Sequence, residues 1–290
     1  MSATVNVNGR ITDERQAVVS VFDHGFLYGE GVYETLRTYN RKPFLFERHV
    51  RRLRSSAGMI ALGVPLTDDA CAERIAETVD HAKRTAPRDT EWYIRILVTR
   101  GVGDLSYDPA ACPAPSVVII VKPFAEPSAA LYADGVSVVI SSIVRNHPDT
   151  VNPAIKSNNL LNNALAMQEG FRRGAFEVVM RNYRGELAEC ALSNLFIVKG
   201  GGVITPPLSA GLLPGITREF VLEIGSEAGI PMREDTLFEN DLFGADEVFL
   251  TGTTREIMPI VKVDDRPIGS GLPGPVTKAL HGAFRTRVLG

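Results

Sequence analysis

Four stretches of this 290-residue chain carry residue types that could do chemistry together. Lys156 stands in Ala154-Ile155-Lys156-Ser157-Asn158-Asn159, where a predicted strand ends directly before a predicted helix. The strand would hold the lysine, and the positive end of the helix dipole disfavours a further cation, so the neutral amine is favoured. A neutral ε-amine is what Schiff-base chemistry needs. Glu189 falls in Leu187-Ala188-Glu189-Cys190-Ala191, a small-residue stretch leading to an apolar strand. A carboxylate there calls for a cationic partner. In Leu213-Pro214-Gly215-Ile216-Thr217-Arg218 a glycine turn enters a helix, offering free backbone N–H groups and the Thr217 hydroxyl to a phosphate. Thr251-Gly252-Thr253-Thr254 is a tight turn between strands with further donors for an anion. Taken singly, each stretch also reads as ordinary loop chemistry.

The elements that must position these residues follow from periodicity. Val5 and Val7 alternate with polar residues and Asn8-Gly9 is a two-residue hairpin signal. A strand over 32–39 precedes a helix over 47–62, whose buried face would be Val50, Leu53, Ala57 and Ile60. Thr67 is the expected N-cap of a second helix, with Asp68 and Asp69 at its positive end and Cys71, Ile75, Val79 and Ala82 as its buried stripe. Strands are predicted over 92–99 and 116–121, then a proline-bearing linker over 123–127. Beyond it come a strand over 136–144 and a helix over 158–172 with Leu160, Leu161, Ala164, Leu165 and Gln168 as its stripe. Further strands are predicted over 176–180, 195–198, 247–251 and 257–263, interrupted by a helix opening after Pro214-Gly215. No internal repeat is evident.

Composition narrows the function classes. The chain is 44% hydrophobic and 22% charged, ordinary for a globular protein. A net charge of −3 supplies no basic field for nucleic acid or an anionic membrane. No apolar run reaches the length of a membrane span, and the N-terminus lacks a signal-peptide pattern. Cys71, Cys112 and Cys190 are widely spaced, with neither metal-ligand nor disulfide-framework spacing, so no metal is expected and a reducing cytoplasm is.

Read together, the motifs resemble the fold-type IV aminotransferases. Besides the four stretches, the resemblance rests on Asp23-His24-Gly25-Phe26-Leu27-Tyr28-Gly29-Glu30-Gly31-Val32-Tyr33-Glu34, on His49-Val50-Arg51-Arg52-Leu53 and on Ile155-Lys156-Ser157, and it covers nearly the whole chain. It implies an α+β, two-domain enzyme like the D-amino-acid aminotransferases: a smaller N-terminal domain over 1–122, a linker over 123–131 and a larger cofactor-binding domain over 132–290. It implies pyridoxal 5′-phosphate as cofactor, with Lys156 as its Schiff-base and catalytic lysine. Arg52, Ile216, Thr217 and Thr253 would hold the phosphate and Glu189 the pyridine nitrogen. A carboxylate there keeps the ring protonated, and a protonated ring withdraws electrons from the substrate α-carbon. Kinetics would be ping-pong, and the enzyme a homodimer or larger, with the 101–113 stretch as the loop that closes a neighbour's site.

Substrate choice rests on fewer residues. Tyr93-Ile94-Arg95 resembles the Tyr-x-Arg pair of branched-chain aminotransferases, in which the arginine meets the side-chain carboxylate of glutamate or 2-oxoglutarate. Strand alternation puts Tyr93 and Arg95 on one face. Tyr28 matches a tyrosine near the substrate carboxylate, and the turn at Thr253 and Thr254 would bind that carboxylate through backbone N–H groups. The loop after Arg100 lacks the Arg-x-His of D-amino-acid aminotransferases, yet Leu161 stands where branched-chain enzymes usually place a tyrosine. The expected reaction is transamination between a branched-chain L-amino acid and 2-oxoglutarate. Open beside it are a D-amino-acid or (R)-amine transaminase, an aminodeoxychorismate lyase on the same fold, and a non-catalytic binding protein.

Overall fold

The computed structural model describes residues 3–290, which fall into two compact units. One comprises residues 3–125 and Ile155–Asn159, the other Glu126–Ala154 and Leu160–Gly290.

In the first unit six strands form one sheet: β1 (Thr4–Val7), β2 (Arg10–Asp13), β3 (Gly31–Tyr39), β4 (Lys42–Pro43), β5 (Trp92–Thr99) and β6 (Ser116–Pro123), in the order β2-β1-β6-β5-β3-β4. The hairpin turn is as expected: Asn8 and Gly9 both have positive φ, the geometry that joins two right-twisted strands. Helices α2 (Phe46–Met59) and α3 (Asp68–Ala82) cover the sheet, while α1 (His24–Leu27) is a single turn. Val50, Leu53 and Ala57 of α2 and Cys71, Ile75, Val79 and Ala82 of α3 form one core with Trp92, Ile94, Ile96 and Val98 of β5. The Thr67 side chain accepts a bond from Ala70 N, capping α3.

The second unit holds β7 (Val136–Ile140), β8 (Glu177–Arg181), β9 (Leu187–Cys190), β10 (Asn194–Lys199), β11 (Gly202–Thr205), β12 (Met232–Glu234), β13 (Glu247–Gly252), β14 (Glu256–Val263) and β15 (Arg266–Pro267). They run β12-β11-β10-β13-β14-β7-β8-β9, with β15 on β14. Around them lie α4 (Ala129–Asp134), α5 (Leu161–Arg172), α6 (Ile216–Glu227), α7 (Glu239–Phe243) and α8 (Pro275–Leu289). Among the described residues no helix is long and apolar enough to cross a membrane.

Three expectations need correction. The strand over 136–144 stops at Ile140, because Ser141 Oγ, Ser142 N and Ser142 Oγ all turn to Glu169 Oε2 at 2.9 Å. The helix over 158–172 starts at Leu161, and its buried residues are Ala166, Met167 and Gly170. Leu161 and Leu165, assigned inward, are 66% and 42% exposed. Close approach decides this: a side chain at Gly170 would meet Val178 Cγ1 at 2.5 Å, so the small-residue face lies on β8. Finally, residues 132–290 are not one continuous unit, since Ile155–Asn159 belongs with the first. Asn158 N donates to Gly31 O and Tyr33 N donates to Lys156 O, each at 2.9 Å, which ties that segment to β3.

Replacing Thr67 with alanine removes the α3 cap and should cost about 1 kcal/mol in urea unfolding, with serine recovering most of it. An alanine variant as stable as the wild type would show that the cap bond contributes nothing.

Candidate active site

Lys156 is held by its backbone. Besides the bond from Tyr33 N to its carbonyl, its own N–H donates to Ser56 Oγ of α2 at 3.1 Å. Val32 and Ser157 form a single antiparallel bridge, so the lysine sits on one bridge of β3 and not at the end of a strand of its own. Gly31 makes the approach feasible, since a Cβ there would meet Asn158 Nδ2 at 2.5 Å. The ammonium nitrogen lies 4.6 Å from the centroid of the Tyr33 ring.

Beside this lysine lies a charged cluster whose members the sequence motifs contain without linking them. Glu34 of β3 is fully buried and receives Arg52 at two points, Nε to Oε1 at 2.7 Å and Nη2 to Oε2 at 2.8 Å. His49 Nδ1, three residues before Arg52 on the same helical face, is 2.6 Å from Oε2. Burial alone would raise the Glu34 pKa; the Arg52 charge and hydrogen bond, with those of His49, instead bring it down to about 2. Burial lowers the His49 pKa, opposed by Glu34 and helped by the positive charges of Arg52 and Lys156. Arg52 is thus oriented by a two-point ion pair and is not one of a solvated row of arginines.

Tyr93 and Arg95 share the outward face of β5, opposite the buried Trp92, Ile94, Ile96 and Val98. The Arg95 guanidinium stacks on the Tyr33 ring at 3.9 Å, and no carboxylate among the described residues pairs with it. A surface salt bridge, the plain alternative for this arginine, is therefore absent among the described residues. Tyr28 closes α1, its ring 4.9 Å from His24 and 5.0 Å from Tyr107 of the 101–113 stretch. Arg100 is consumed, donating to Glu30 Oε2 and to the carbonyls of Ala61 and Ile60.

The second unit carries the other candidates. Glu189 of β9 is buried and takes three donors: Arg145 Nε at 2.8 Å, Leu213 N at 3.1 Å and Asn194 Nδ2 at 3.3 Å. The cation that a buried carboxylate demands is Arg145, itself buried and anchored on Asn162 Oδ1 at 3.0 Å. No signal in the sequence marks Arg145, a single arginine in a loop. Asn194 also donates to Leu213 O at 3.0 Å, and a Cβ at Gly215 would lie 1.8 Å from Asn194 Oδ1. Only glycine lets the start of α6 come so near. That helix, with Ile216 and Thr217 in its first turn, has no side-chain cap. Thr253 and Thr254 lie in the turn joining β13 to β14, and the buried Thr251 Oγ1 just before it has no hydrogen-bond partner among the described residues.

Comparison with known proteins places this arrangement in a class. A family model described as amino-transferase class IV matches residues 31–263. A candidate branched-chain-amino-acid aminotransferase of Methanocaldococcus jannaschii is 39% identical over 281 residues, spanning 97% of this chain and 95% of that one. The D-alanine aminotransferase of Bacillus licheniformis is 33% identical over 282 residues, spanning 97% and 96%. Among solved structures, the branched-chain amino acid aminotransferase of a T.th. strain with pyridoxamine 5′-phosphate matches at a TM-score of 0.91 and 29% identity, covering 100% of this chain and 95% of that one. The chain belongs to the class IV aminotransferase family. It is a fold-type IV transaminase acting on amino acids and oxo acids, and its cofactor is pyridoxal 5′-phosphate.

The residues present fit that cofactor. An anchored lysine and an anchored arginine stand in one unit; a buried carboxylate, an uncapped helix start and an unpartnered buried hydroxyl stand in the other.

The Glu34 cluster makes stability depend on acid. A carboxylate lowered from 4.5 to about 2 contributes stability that is complete above pH 4.5 and is lost as pH falls through about 2. The contribution is on the order of 3 kcal/mol. His49, lowered from 6.5, acts in the same direction, its contribution present above pH 6.5 and lost below its folded value. Urea midpoints measured across pH 2–7 should therefore fall less steeply in Glu34→Gln than in the wild type; parallel curves would refute the assignment.

Proposed function

We propose that the chain transfers amino groups between a branched-chain L-amino acid and 2-oxoglutarate. The observation that carries this reading is Arg95: half-buried, stacked on Tyr33, beside Tyr93 and without a carboxylate partner among the described residues. A guanidinium so placed suits the side-chain carboxylate of a five-carbon dicarboxylic acid. The consumption of Arg100 argues against a carboxylate clamp in the loop that follows it. Names of two relatives support the branched-chain amino acid as donor.

Lys156 would hold pyridoxal 5′-phosphate covalently through its ε-amine. Arg52, Ile216, Thr217 and Thr253 would hold the phosphate, and Glu189 the ring nitrogen. When bound, the cofactor supplies an electron sink for the charge left on the substrate α-carbon. Glu189 keeps a fixed negative charge, fastened by Arg145, Asn194 and Leu213 N. Lys156 Nζ would take the proton from the substrate α-carbon and pass it to the cofactor's C4′ within the first half of the cycle, and carry it the opposite way in the second; the two backbone bonds of Lys156 keep that amine within reach. Tyr28 and the N–H groups of Thr253 and Thr254 orient the α-carboxylate, while Arg95 reads a second carboxylate when there is one.

The enzyme is proposed to be a homodimer or larger. Val18, Val21, Phe22 and Phe26 are at least half exposed, as are Leu105 and Tyr107 of the adjoining loop, and an apolar surface of this extent is normally covered. Its three free thiols suit a reducing, cytoplasmic compartment. A D-amino-acid reading draws on Leu161 and on the similarity to D-alanine aminotransferases.

Half-reactions of the holoenzyme with L-leucine, L-glutamate, D-alanine and (R)-1-phenylethylamine, followed by loss of the cofactor absorbance near ~410–430 nm, decide between them. L-leucine and L-glutamate should react, and Lys156→Ala should abolish the band; fast reaction with D-alanine but not L-leucine would replace this proposal. Arg95→Ala should raise KM for 2-oxoglutarate about 10- to 100-fold and leave 4-methyl-2-oxopentanoate within about twofold.

A further inference from the structure

One ion pair with a buried carboxylate and a largely covered arginine has no part in the chemistry above. Glu177 of β8 is fully buried, and Arg255, the residue after Thr251-Gly252-Thr253-Thr254, donates to it and to Ser193 Oγ, the latter at 2.9 Å. Ser193 Oγ donates in turn to Glu177 Oε2 at 3.2 Å. The Arg255 guanidinium lies 4.9 Å from the Phe176 ring, so its plane is fixed from a second side.

The backbone of the turn is fastened at the same place. Arg255 N donates to Gly252 O at 3.1 Å and Tyr132 Oη donates to Arg255 O at 3.3 Å. Glu256, the next residue, is held at a φ of 52°, a conformation that a non-glycine residue keeps only under constraint. Its carboxylate is anchored to α8, 3.0 Å from His281 Nε2 and 2.7 Å from Arg285 Nε. Thus the 251–255 turn is gripped through Arg255 and Glu256, while the Thr251 hydroxyl within it has no hydrogen-bond partner among the described residues.

Stability does not account for such a pair, because buried ion pairs roughly break even against apolar replacements of the same size. Their better-attested use is to select one conformation. We propose that Arg255 is a positioning residue for the substrate α-carboxylate: through Glu177 and Ser193 it fixes the turn so that the N–H groups of Thr253 and Thr254 present one preformed anion site. This rests on the reading of that turn as the α-carboxylate site. Every amino acid and oxo acid substrate carries the α-carboxylate, so the effect is independent of the side chain, unlike that of Arg95.

The test uses the holoenzyme with Arg255→Met, Arg255→Lys and Glu177→Gln. Measured quantities are kcat and KM for 2-oxoglutarate and 4-methyl-2-oxopentanoate, and the Kd of unreactive 4-methylpentanoate from the cofactor absorbance. Arg255→Met should raise both KM values and the Kd by the same factor, about tenfold or more, with kcat within about threefold. Arg255→Lys should recover part of the loss, and Glu177→Gln should move the same quantities in the same direction. If Arg255→Met does not fold, the Glu177→Gln result stands as the test. Unchanged KM and Kd with a lowered melting temperature would leave Arg255 a purely structural residue and overturn the proposal. So would a KM effect confined to 2-oxoglutarate, or weakened cofactor binding with an unchanged Kd. A wild type that transaminates normally while all variants match it defeats this proposal alone; a wild type that turns over neither oxo acid defeats the functional reading as well.

Discussion

On the mechanism proposed above, an amine that moves a proton between two carbons has to be mobile at its tip and immobile at its root. The chain meets this by holding the backbone of Lys156 on both sides, its carbonyl on Tyr33 and its N–H on Ser56. Everything else in the first unit serves that attachment. Strand β3 contributes the bridge at Val32, the glycine that allows Asn158 to approach, the ring under the ammonium and the buried glutamate next to it. Helix α2 contributes Ser56, the Arg52 guanidinium that neutralises Glu34 and the His49 ring that meets the same carboxylate. Because β3 and α2 share one apolar core with β5, their polar contributions are carried on a rigid base.

The second unit solves a different problem, the placing of negative charge where water is scarce. Glu177, Glu189 and Glu256 are all buried, and each is met by an arginine: Arg255, Arg145 and Arg285. Burial raises the Glu177 pKa in spite of Arg255, so dehydration remains the larger influence at that site. Guanidinium groups suit this work because they stay charged and donate in a plane.

Local features of this architecture were legible in the sequence. The Asn8-Gly9 turn, the Thr67 cap, the alternating burial of β5 and the helix start after Gly215 each follow from the residues present at the spot. The inward face of α5 was not, because period-seeking gives weight to Leu161 and Leu165, while the helix rests on Ala166 and Gly170, which carry almost none. Nor were the partners of the buried carboxylates. Arg145 lies 44 residues from Glu189, and Arg255 lies 78 from Glu177. Nothing in the neighbourhood of either arginine distinguishes it from a solvated one. The motif that marked the family contained Glu34, yet its link to Arg52 emerges only once β3 and α2 are placed side by side.

The excursion of Ile155–Asn159 also bears on how the molecule is made. During synthesis the six strands and two main helices of the first unit have all emerged once residue 125 has, so a core can assemble early. Its lysine arrives later, by way of polypeptide belonging to the other unit. A gene cut at the natural seam after Ala125 would therefore encode the strands and helices of the first unit without Lys156. On the proposed mechanism neither half could be inherited, exchanged or duplicated alone and remain an enzyme, which would keep the two units together as one evolutionary parcel.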